Sequence, residues 1–424
     1  MHHIAYIILS LLPCFSFCFL ALPVEKYNAR QQALLTFILV CDLGIPFYFA
    51  GTYTPAIGMC TAVISWVSGL KMAVWLFCMP QEERRKRPFY GTLFYWRDRP
   101  KSTSSASVEV AHDKVNGNAG PPSKPATSSL PSKQENQTRV VSLRRFLWSF
   151  VKHEVTFSLL HVAICSLDRH QAIAVFQHVV DFFQLRTTTW HKELTPSAIM
   201  SSFWLCSMFS IYLQGQMQLT YDLFLITFGI TYHILPWLRM KWVQQGVVKD
   251  YIEQAADMPP AFDSPWASTS LRDYWSNRWH KFYNACFYRL AYRPVRRLCG
   301  GIPLLRKSLP TWAVFVLSGL MHEYYLYCAA GPALYFSGAG GWQLIFFSIQ
   351  PIGILIGDAF FSSGWPGRLW AITWMVLMSH LFVIPFLLCN YFDTLVVRAS
   401  PLDSLLFSTF LDTANSDILN DLSS

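Results

Sequence analysis

The residues LPTWAVFVLSGLMHEYYLYCAA, at positions 309–330, form the apolar stretch that decides the fold. The stretch is long enough to cross a bilayer, because a hydrocarbon core about 30 Å thick needs roughly 20 apolar residues in a helix. Its interior carries two ionisable side chains, His322 and Glu323. Ionisable groups at membrane depth are costly and usually face a cavity or a partner group. We therefore predict a membrane-spanning helix over Leu309–Ala330, in which His322 and Glu323 face a cavity or a partner group.

The rest of the chain has the same apolar character. It is 53% hydrophobic and 14% charged, whereas soluble domains have about 25% charged residues. We predict an all-α integral membrane protein, a polytopic bundle of about 8–10 transmembrane helices. The first segment lacks a basic leader and is predicted to be a retained helix, not a signal peptide. The further apolar segments are Ile4–Leu22, Gln32–Ala50, Pro55–Met79, Phe146–Leu167, Ala172–Leu185, Ser197–Leu213, Met217–Leu238, Trp342–Phe361 and Leu369–Leu388.

Charge divides the chain into regions and assigns their sides. A basic run begins at Gln81, and residues 239–307 hold 12 Lys and Arg against 5 Asp and Glu. Both regions are predicted to be cytoplasmic, since basic loops stay on that side. An even number of crossings must separate them, so Ala172–Leu185 is predicted to span or re-enter beside three clear helices. The predicted regions are 1–79 (N-terminal transmembrane helices), 80–142 (a basic and then disordered cytoplasmic loop), 143–238 (central transmembrane helices), 239–308 (a cytoplasmic or interfacial basic segment), 309–391 (C-terminal transmembrane helices) and 392–424 (a tail).

Composition also disfavours two kinds of site. The net charge of +9 would suit a nucleic-acid partner, but the basic residues lie in loops between apolar helices, where cytoplasmic retention accounts for them. We expect no nucleic-acid partner. The 11 cysteines include no CxxC pair and no metal-ligand spacing, so we expect neither disulfides nor a metal site.

A local constellation surrounds His322. Ser318 lies four residues earlier, on the same face of a helix, and Gly319 allows another helix or a substrate to approach closely. Glu323 points away from that face, toward a neighbouring helix. The residues alone leave two interpretations open, a functional histidine or a packing histidine hydrogen-bonded between helices. Three other membrane histidines are predicted to be packing residues: His161, His233 and His380.

The second candidate site is STSLRDYWSNRWHKF, at positions 268–282. Trp275 and Trp279 are four residues apart and would share one face of a helix. Arg272 and Arg278 are suited to hold phosphate groups as bidentate donors. Taken alone, the stretch is better interpreted as an amphipathic helix in the membrane interface, with Trp facing lipid and Arg facing water.

Together the two stretches resemble the membrane-bound O-acyltransferase superfamily, in its wax-synthase-like branch. The resemblance rests on three motifs in the right order and at a short distance: Asp273-Tyr274-Trp275, Arg278-Trp279-His280 and Ser318-Gly319-Leu320-Met321-His322-Glu323. The branch includes makers of long-chain esters and fungal-type acetyltransferases that modify terpenoid alcohols of secondary metabolism. The look of the family branch favours the latter, although no pocket residue decides it. The implied fold is a helical bundle that forms an acyltransferase chamber.

The resemblance implies transfer of an acyl group from acyl-CoA, with acetyl-CoA favoured, to a hydroxyl of a hydrophobic small molecule. His322 would be the general base. His280 is the first choice for the polar residue that orients the carbonyl or holds the oxyanion, and Asn277 is the reserve. The remaining expected substrate-contacting residues are Trp275 and Trp279 along the donor channel, Arg272 and Arg278 at the phosphates, and Ser318 and Glu323 beside His322. No metal and no bound cofactor are expected.

The expected partners are the lipid bilayer, the alcohol and acyl-CoA, and the expected location is the endoplasmic reticulum. Three alternatives stay open. One is a long-chain wax or sterol ester synthase, and another is a lipid-binding scaffold without catalysis. The third is a transporter with a proton relay, for which the candidate groups are His161, His178, His233, His322, Asp222, Glu323 and Asp358.

Overall fold

The computed structural model describes residues 3–21, 27–86, 89–93, 143–165, 169–183, 194–234, 261–299, 301, 303–361 and 364–389. These residues are almost all helical, and no strand occurs among them, which confirms the all-α class. The predicted disordered stretch Lys101–Gln137, residues 239–260 and the tail from 392 lie outside the described residues. The long helices are α1 (His3–Leu20), α2 (Ala29–Tyr48), α3 (Pro55–Ala73), α4 (Leu143–Cys165), α5 (Arg169–Phe183), α6 (Pro196–Ile234), α7 (Pro303–Leu334), α8 (Trp342–Phe360) and α9 (Trp365–Leu388).

Six helices in the described part of the chain are long and apolar enough to cross a membrane: α1, α2, α3 with the π-helical turn that follows it, α6, α8 and α9. Their outer faces expose large apolar side chains such as Phe19, Phe37 and Phe360. Water would make that exposure costly, whereas lipid does not. The chain is therefore an integral, multi-pass membrane protein. The helix α7 is not among the six, because His322, Glu323 and several tyrosines lower its hydropathy.

One helix was not expected. The sequence predicts separate helices over Ser197–Leu213 and Met217–Leu238, but the structure has the single 39-residue helix α6. The polar residues at 214–216 interrupt the apolar pattern without breaking the backbone, and Gly215 lies against Phe157 of α4. At about 1.5 Å per residue, α6 is roughly 58 Å long. If α6 crosses the membrane once, α4 and α6 are the two long helices between the basic regions. Two crossings already give the even number that the charges require, so α5 need not span the membrane.

The helix α7 joins two apolar cores. Its Phe315 belongs to a core built mainly from α4–α6, α8 and α9, whereas its Met321 and Tyr325 belong to a core with α1–α3. Glycines allow both contacts to be close. A Cβ added at Gly58 of α3 would meet the carbonyl oxygen of Cys328 at 2.6 Å, and one added at Gly319 would meet a side-chain carbon of Leu344 at 2.8 Å. His322 thus lies where the two halves of the bundle meet.

The segment 261–299 is not the single amphipathic helix that the sequence alone favours. It is a series of short turns, including π-helical turns over Tyr274–Arg278 and Tyr288–Tyr292. Arg289 donates to both carboxylate oxygens of Glu83, at 2.9 and 2.7 Å. This ion pair joins the segment to the basic run after α3, so the two basic regions lie on the same side of the bundle.

Candidate active site

The ring of His322 is enclosed by aromatic side chains. It stacks on Phe347 with a centroid distance of 4.6 Å, and it meets Phe382 edge-on at 5.5 Å. Its Nε2 is buried and has no hydrogen-bond partner among the described residues. A buried polar atom without a partner costs about 1–3 kcal/mol, so its presence calls for an explanation such as a catalytic role. The geometry does not match a packing histidine bonded between helices.

His380 shows what a packing histidine looks like in this protein. Its Nδ1 lies 3.1 Å from the carbonyl oxygen of Leu377, and its Nε2 lies 3.3 Å from the hydroxyl of Ser202 on α6. Both ring nitrogens therefore have partners. His380 thus has the bonded arrangement expected of a packing histidine, whereas Nε2 of His322 has no partner among the described residues.

Glu323 fixes the helix that carries His322. The backbone amides of Gly341 and Leu344 donate to its two carboxylate oxygens, each at 2.9 Å. These amides belong to the first turn of α8, where a negative charge is favourable. Glu323 thus holds α7 against α8, the helix that supplies Phe347. Glu323 therefore affects the site by positioning α7. Ser318 is half-buried and lies one turn before His322 on the same helix.

His280 approaches the same region from the segment 261–299. It has a left-handed backbone conformation (φ 44°), which costs a residue other than glycine about 1–3 kcal/mol and is concentrated at functional sites. Its ring lies 5.1 Å from that of Phe262 and 5.0 Å from that of Trp279. Its Nδ1 is buried without a partner among the described residues. Burial, together with the neighbouring His322, lowers the pKa of His280 to about 3, so this ring is neutral at physiological pH.

A pair of tyrosine hydroxyls connects the surroundings of the two histidines. The hydroxyl oxygens of Tyr283 and Tyr325 are 3.0 Å apart. The Tyr283 ring lies 6.1 Å from that of His280, and the Tyr325 ring lies 5.9 Å from that of His322. Neither tyrosine was predicted from the sequence. Each follows its histidine by three residues, but this spacing does not report the contact between the two hydroxyls.

The two tryptophans of the segment have different surroundings. Trp275 packs against Phe347 at 5.8 Å, and its indole N–H donates to Gln350 at 3.3 Å. Trp279 stacks on Tyr274 at 5.3 Å. The expected shared helical face is wrong, because the π-helical turn ends at Arg278 and the backbone of Trp279 is extended. Only Trp275 lies beside the ring that stacks on His322.

Asn277 and Arg278 hold the segment together. Asn277 is exposed, and its amide donates to Asp273 at 3.0 Å. The Arg278 Nε donates to the same carboxylate at 2.7 Å, and its Nη1 donates to the carbonyl of Asp263 at 3.1 Å. Burial raises the pKa of Asp273, but these hydrogen bonds outweigh it and lower the pKa overall. Both Asn277 and Arg278 are thus bonded to Asp273 within the segment.

A basic pocket of about 610 Å³ lies near the start of α7. Arg272 is at its wall and forms an ion pair with Asp358, with Nε 3.0 Å from Oδ2. Arg296 and Arg306 also line the pocket and are exposed, and neither forms an ion pair within the described residues. The full lining is Arg272, Tyr292, Arg296, Arg306, Ser308, Thr311, Trp312, Pro351, Ile354, Leu355 and Asp358.

Comparison with known proteins bears on the stretch that contains both histidines. Residues 258–349 match the model of the Membrane bound O-acyl transferase family. This match confirms the resemblance at superfamily level for the segment that carries His280 and His322. It covers the basic pocket's arginines as well, but not the first 250 residues.

Three relatives give the extent of the similarity. The chain is 37% identical over 71 residues to "Probable long-chain-alcohol O-fatty-acyltransferase 8" of Arabidopsis thaliana (16% of this chain, 20% of the relative). It is 34% identical over 73 residues to "Long-chain-alcohol O-fatty-acyltransferase" of Simmondsia chinensis (17% and 21%). It is 32% identical over 68 residues to "Acyl-CoA--sterol O-acyltransferase 1" of Arabidopsis thaliana (16% and 20%). The chain thus matches about a fifth of the length of these relatives.

Proposed function

We propose that this protein is a membrane-bound O-acyltransferase that moves an acyl group from acyl-CoA to a hydroxyl of a hydrophobic alcohol. The observation that carries the proposal is that His280 and His322, which are far apart in the chain, have surroundings that meet at the 3.0 Å contact of the Tyr283 and Tyr325 hydroxyls. Each has a buried ring nitrogen without a partner among the described residues, and each is enclosed by aromatic rings. Such an apolar enclosure limits hydrolysis of a thioester by water.

His322 is the general base of the proposed reaction. A neutral alcohol is a weak nucleophile, and a histidine can take its proton near neutral pH. As the alcohol oxygen bonds to the thioester carbon, its proton passes to Nε2 of His322 and the carbonyl electrons move to oxygen. Collapse of this oxyanion breaks the C–S bond, and the leaving thiolate takes the proton back from His322. The neutral His280 ring serves as a hydrogen-bonding group near the carbonyl.

The basic pocket is the proposed site for the phosphates of the donor. Guanidinium groups bind phosphate in bidentate fashion, and Arg296 and Arg306 have no competing ion pair among the described residues. Thr311 of the pocket and His322 lie 11 residues apart on α7, or roughly 16 Å at about 1.5 Å per residue. The pantetheine arm has the backbone length of about four peptide residues, or roughly 14 Å when extended. An arm anchored in this pocket would bring the thioester close to His322.

This proposal changes one expected phosphate contact. Arg278 is committed to Asp273 and to backbone carbonyls, so we assign the phosphate role to Arg272, Arg296 and Arg306. The pocket would face the cytoplasm, where acyl-CoA is available, in agreement with the charge of both basic regions. An endoplasmic reticulum location remains part of the proposal.

The acyl chain and the acceptor form the finer part of the proposal. The resemblance to the fungal-type branch favours an acetyl donor and a terpenoid-type alcohol, whereas the names of the relatives favour a fatty acyl donor with a long-chain alcohol or a sterol. Purified protein in lipid nanodiscs should be given acetyl-CoA or palmitoyl-CoA with each alcohol class, and the ester should be identified by mass spectrometry. Faster turnover of the 16-carbon donor at a fixed acceptor would reject the acetyltransferase assignment.

The transporter alternative receives less support from the geometry. A relay needs groups that can exchange protons along a path. Asp222 instead binds His153 at 2.5 Å, Asp358 binds Arg272, and Glu323 binds two backbone amides. Release of free CoA that depends on the alcohol would distinguish the enzyme from both a transporter and a lipid-binding scaffold.

A further inference from the structure

The hydroxyl pair of Tyr283 and Tyr325 contains one more donor than it uses. Each hydroxyl has one proton, and one of the two protons makes the 3.0 Å hydrogen bond between the oxygens. The other proton has no acceptor among the described residues. Both side chains are buried, with 4% and 7% of their surface exposed. A buried O–H donor without an acceptor is costly unless another molecule provides one.

The free donor lies beside both histidines. Tyr325 follows His322 by three residues on α7, so the two side chains are neighbours on the helix surface. Tyr283 follows His280 by three residues across a short 3-10 turn, and their rings are 6.1 Å apart. The hydroxyl pair thus shares its surroundings with the two unpartnered ring nitrogens.

We infer that Tyr325 is a further catalytic residue, which donates a hydrogen bond to the oxyanion formed when the alcohol attacks the acyl carbonyl. Tyr283 donates to the Tyr325 oxygen, which leaves the Tyr325 proton directed at the substrate. We assign the terminal position to Tyr325 because it lies on the same helix as His322, next to the proposed base. The inference rests on the proposed acyl transfer.

The donor requires no net proton transfer of its own. The alcohol proton moves to His322 and then to the leaving thiolate, while the Tyr325 proton stays on its oxygen and only stabilises the charge. A chain of two hydroxyls polarises the terminal O–H bond and strengthens its hydrogen bond. Preorganised donors aimed at a developing oxyanion in a water-poor site have large effects on rate.

Tyr324 provides a matched control on the same helix. Its hydroxyl donates to the carbonyl oxygen of Leu43 at 2.8 Å, so its proton is already used between α7 and α2. Tyr324→Phe, Tyr325→Phe and Tyr283→Phe each remove one oxygen and keep the ring. The three variants should therefore differ in chemistry more than in packing.

The test measures CoA release and ester formation by purified full-length protein in nanodiscs, with palmitoyl-CoA or acetyl-CoA and a saturating alcohol. Tyr325→Phe should lower kcat by roughly 10²-fold, as the loss of one oxyanion donor does, with the KM for acyl-CoA changed less than about threefold. Tyr283→Phe should lower kcat by roughly 10-fold, because the terminal donor remains but loses its polarising partner. Tyr324→Phe should stay near the wild-type kcat.

Each outcome is informative. If Tyr325→Phe keeps more than about a third of the wild-type kcat, the tyrosine is not an oxyanion donor, although the acyl transfer itself stands. If Tyr325→Phe and Tyr324→Phe lose kcat equally, with the same drop in thermal stability, the pair is structural and the inference fails. If the wild-type protein releases no CoA with any alcohol, the proposed function fails before the tyrosines are tested.

Discussion

The carboxylate of Asp358 on α8 pairs with the guanidinium of Arg272 at the wall of the basic pocket. Both side chains are more than 40% exposed, so the pair is accessible and contributes only about 0–1 kcal/mol. If donor phosphates bind in this pocket, they must compete with Asp358 for Arg272. Under the proposed function, Asp358 would therefore compete with the donor phosphates for this guanidinium.

Asp358→Asn should tighten donor binding. Removing the competing carboxylate frees Arg272, so the KM for acyl-CoA should fall by up to about fivefold, the equivalent of roughly 1 kcal/mol. Steady-state kinetics at low ionic strength would measure it. An increase in KM would mean that Asp358 positions Arg272 for the donor instead of competing for it.

Arg296 and Arg306 should contribute binding without contributing chemistry. Alanine at either position should raise the KM for acyl-CoA by roughly tenfold, about 1.4 kcal/mol, and leave kcat nearly unchanged, because the pocket lies about 16 Å from His322 along α7. Arg297 is a suitable control, since it is exposed on the same short helix but does not line the pocket. Equal effects of Arg296→Ala and Arg297→Ala would indicate general surface charge and reject the site.

Glu323 should matter mainly for stability. Glu323→Ala leaves the amides of Gly341 and Leu344 without their acceptor, which costs about 1–3 kcal/mol. The thermal midpoint of the purified Glu323→Ala protein should fall. The midpoint of Glu323→Gln, which keeps one acceptor oxygen, should fall less. A variant of normal stability with no turnover would instead place Glu323 in direct contact with the substrate.

The pair of half-buried His153 and buried Asp222 should also be structural. Asp222 is 2% exposed and receives hydrogen bonds from His153 at 2.5 Å and from Gln218 at 3.2 Å. Such polar groups bind transmembrane helices to each other. Asp222→Asn should weaken the contact between α4 and α6 without abolishing ester formation. A stable Asp222→Asn protein with no ester formation would revive a relay through this pair.

The helical class followed from the sequence because long apolar runs leave little choice in a bilayer. The single helix α6 did not, since the polar residues at 214–216 interrupt hydropathy while the backbone continues. The irregular path of residues 261–299 also escaped prediction. Its π-helical turns and the left-handed His280 depend on tertiary contacts such as those of Arg278 with Asp273 and with the backbone of Asp263.

For the candidate site, the sequence predicted the two histidines but not the two tyrosines beside them. Tyr283 and Tyr325 come together from separate segments, and no local pattern reports such a contact. The roles expected for Asn277 and Arg278 rested on residue type, which does not show that both side chains already bind Asp273. Partners across the fold decide which polar residues remain available to a substrate.

The proposed function depends on His322 as the base of an acyl transfer. The most direct measurement is alcohol-dependent release of CoA by purified wild-type and His322→Ala protein, with His380→Gln as the control for a packing histidine. General-base catalysis typically contributes roughly 10²–10⁴-fold in rate. The His322→Ala protein should therefore be at least about 100-fold slower than the wild-type protein while it still binds acyl-CoA. Folded His380→Gln protein should retain most of the wild-type activity. A His322→Ala protein with more than about a tenth of the wild-type rate would contradict the account, because the proton would then have to go to another residue.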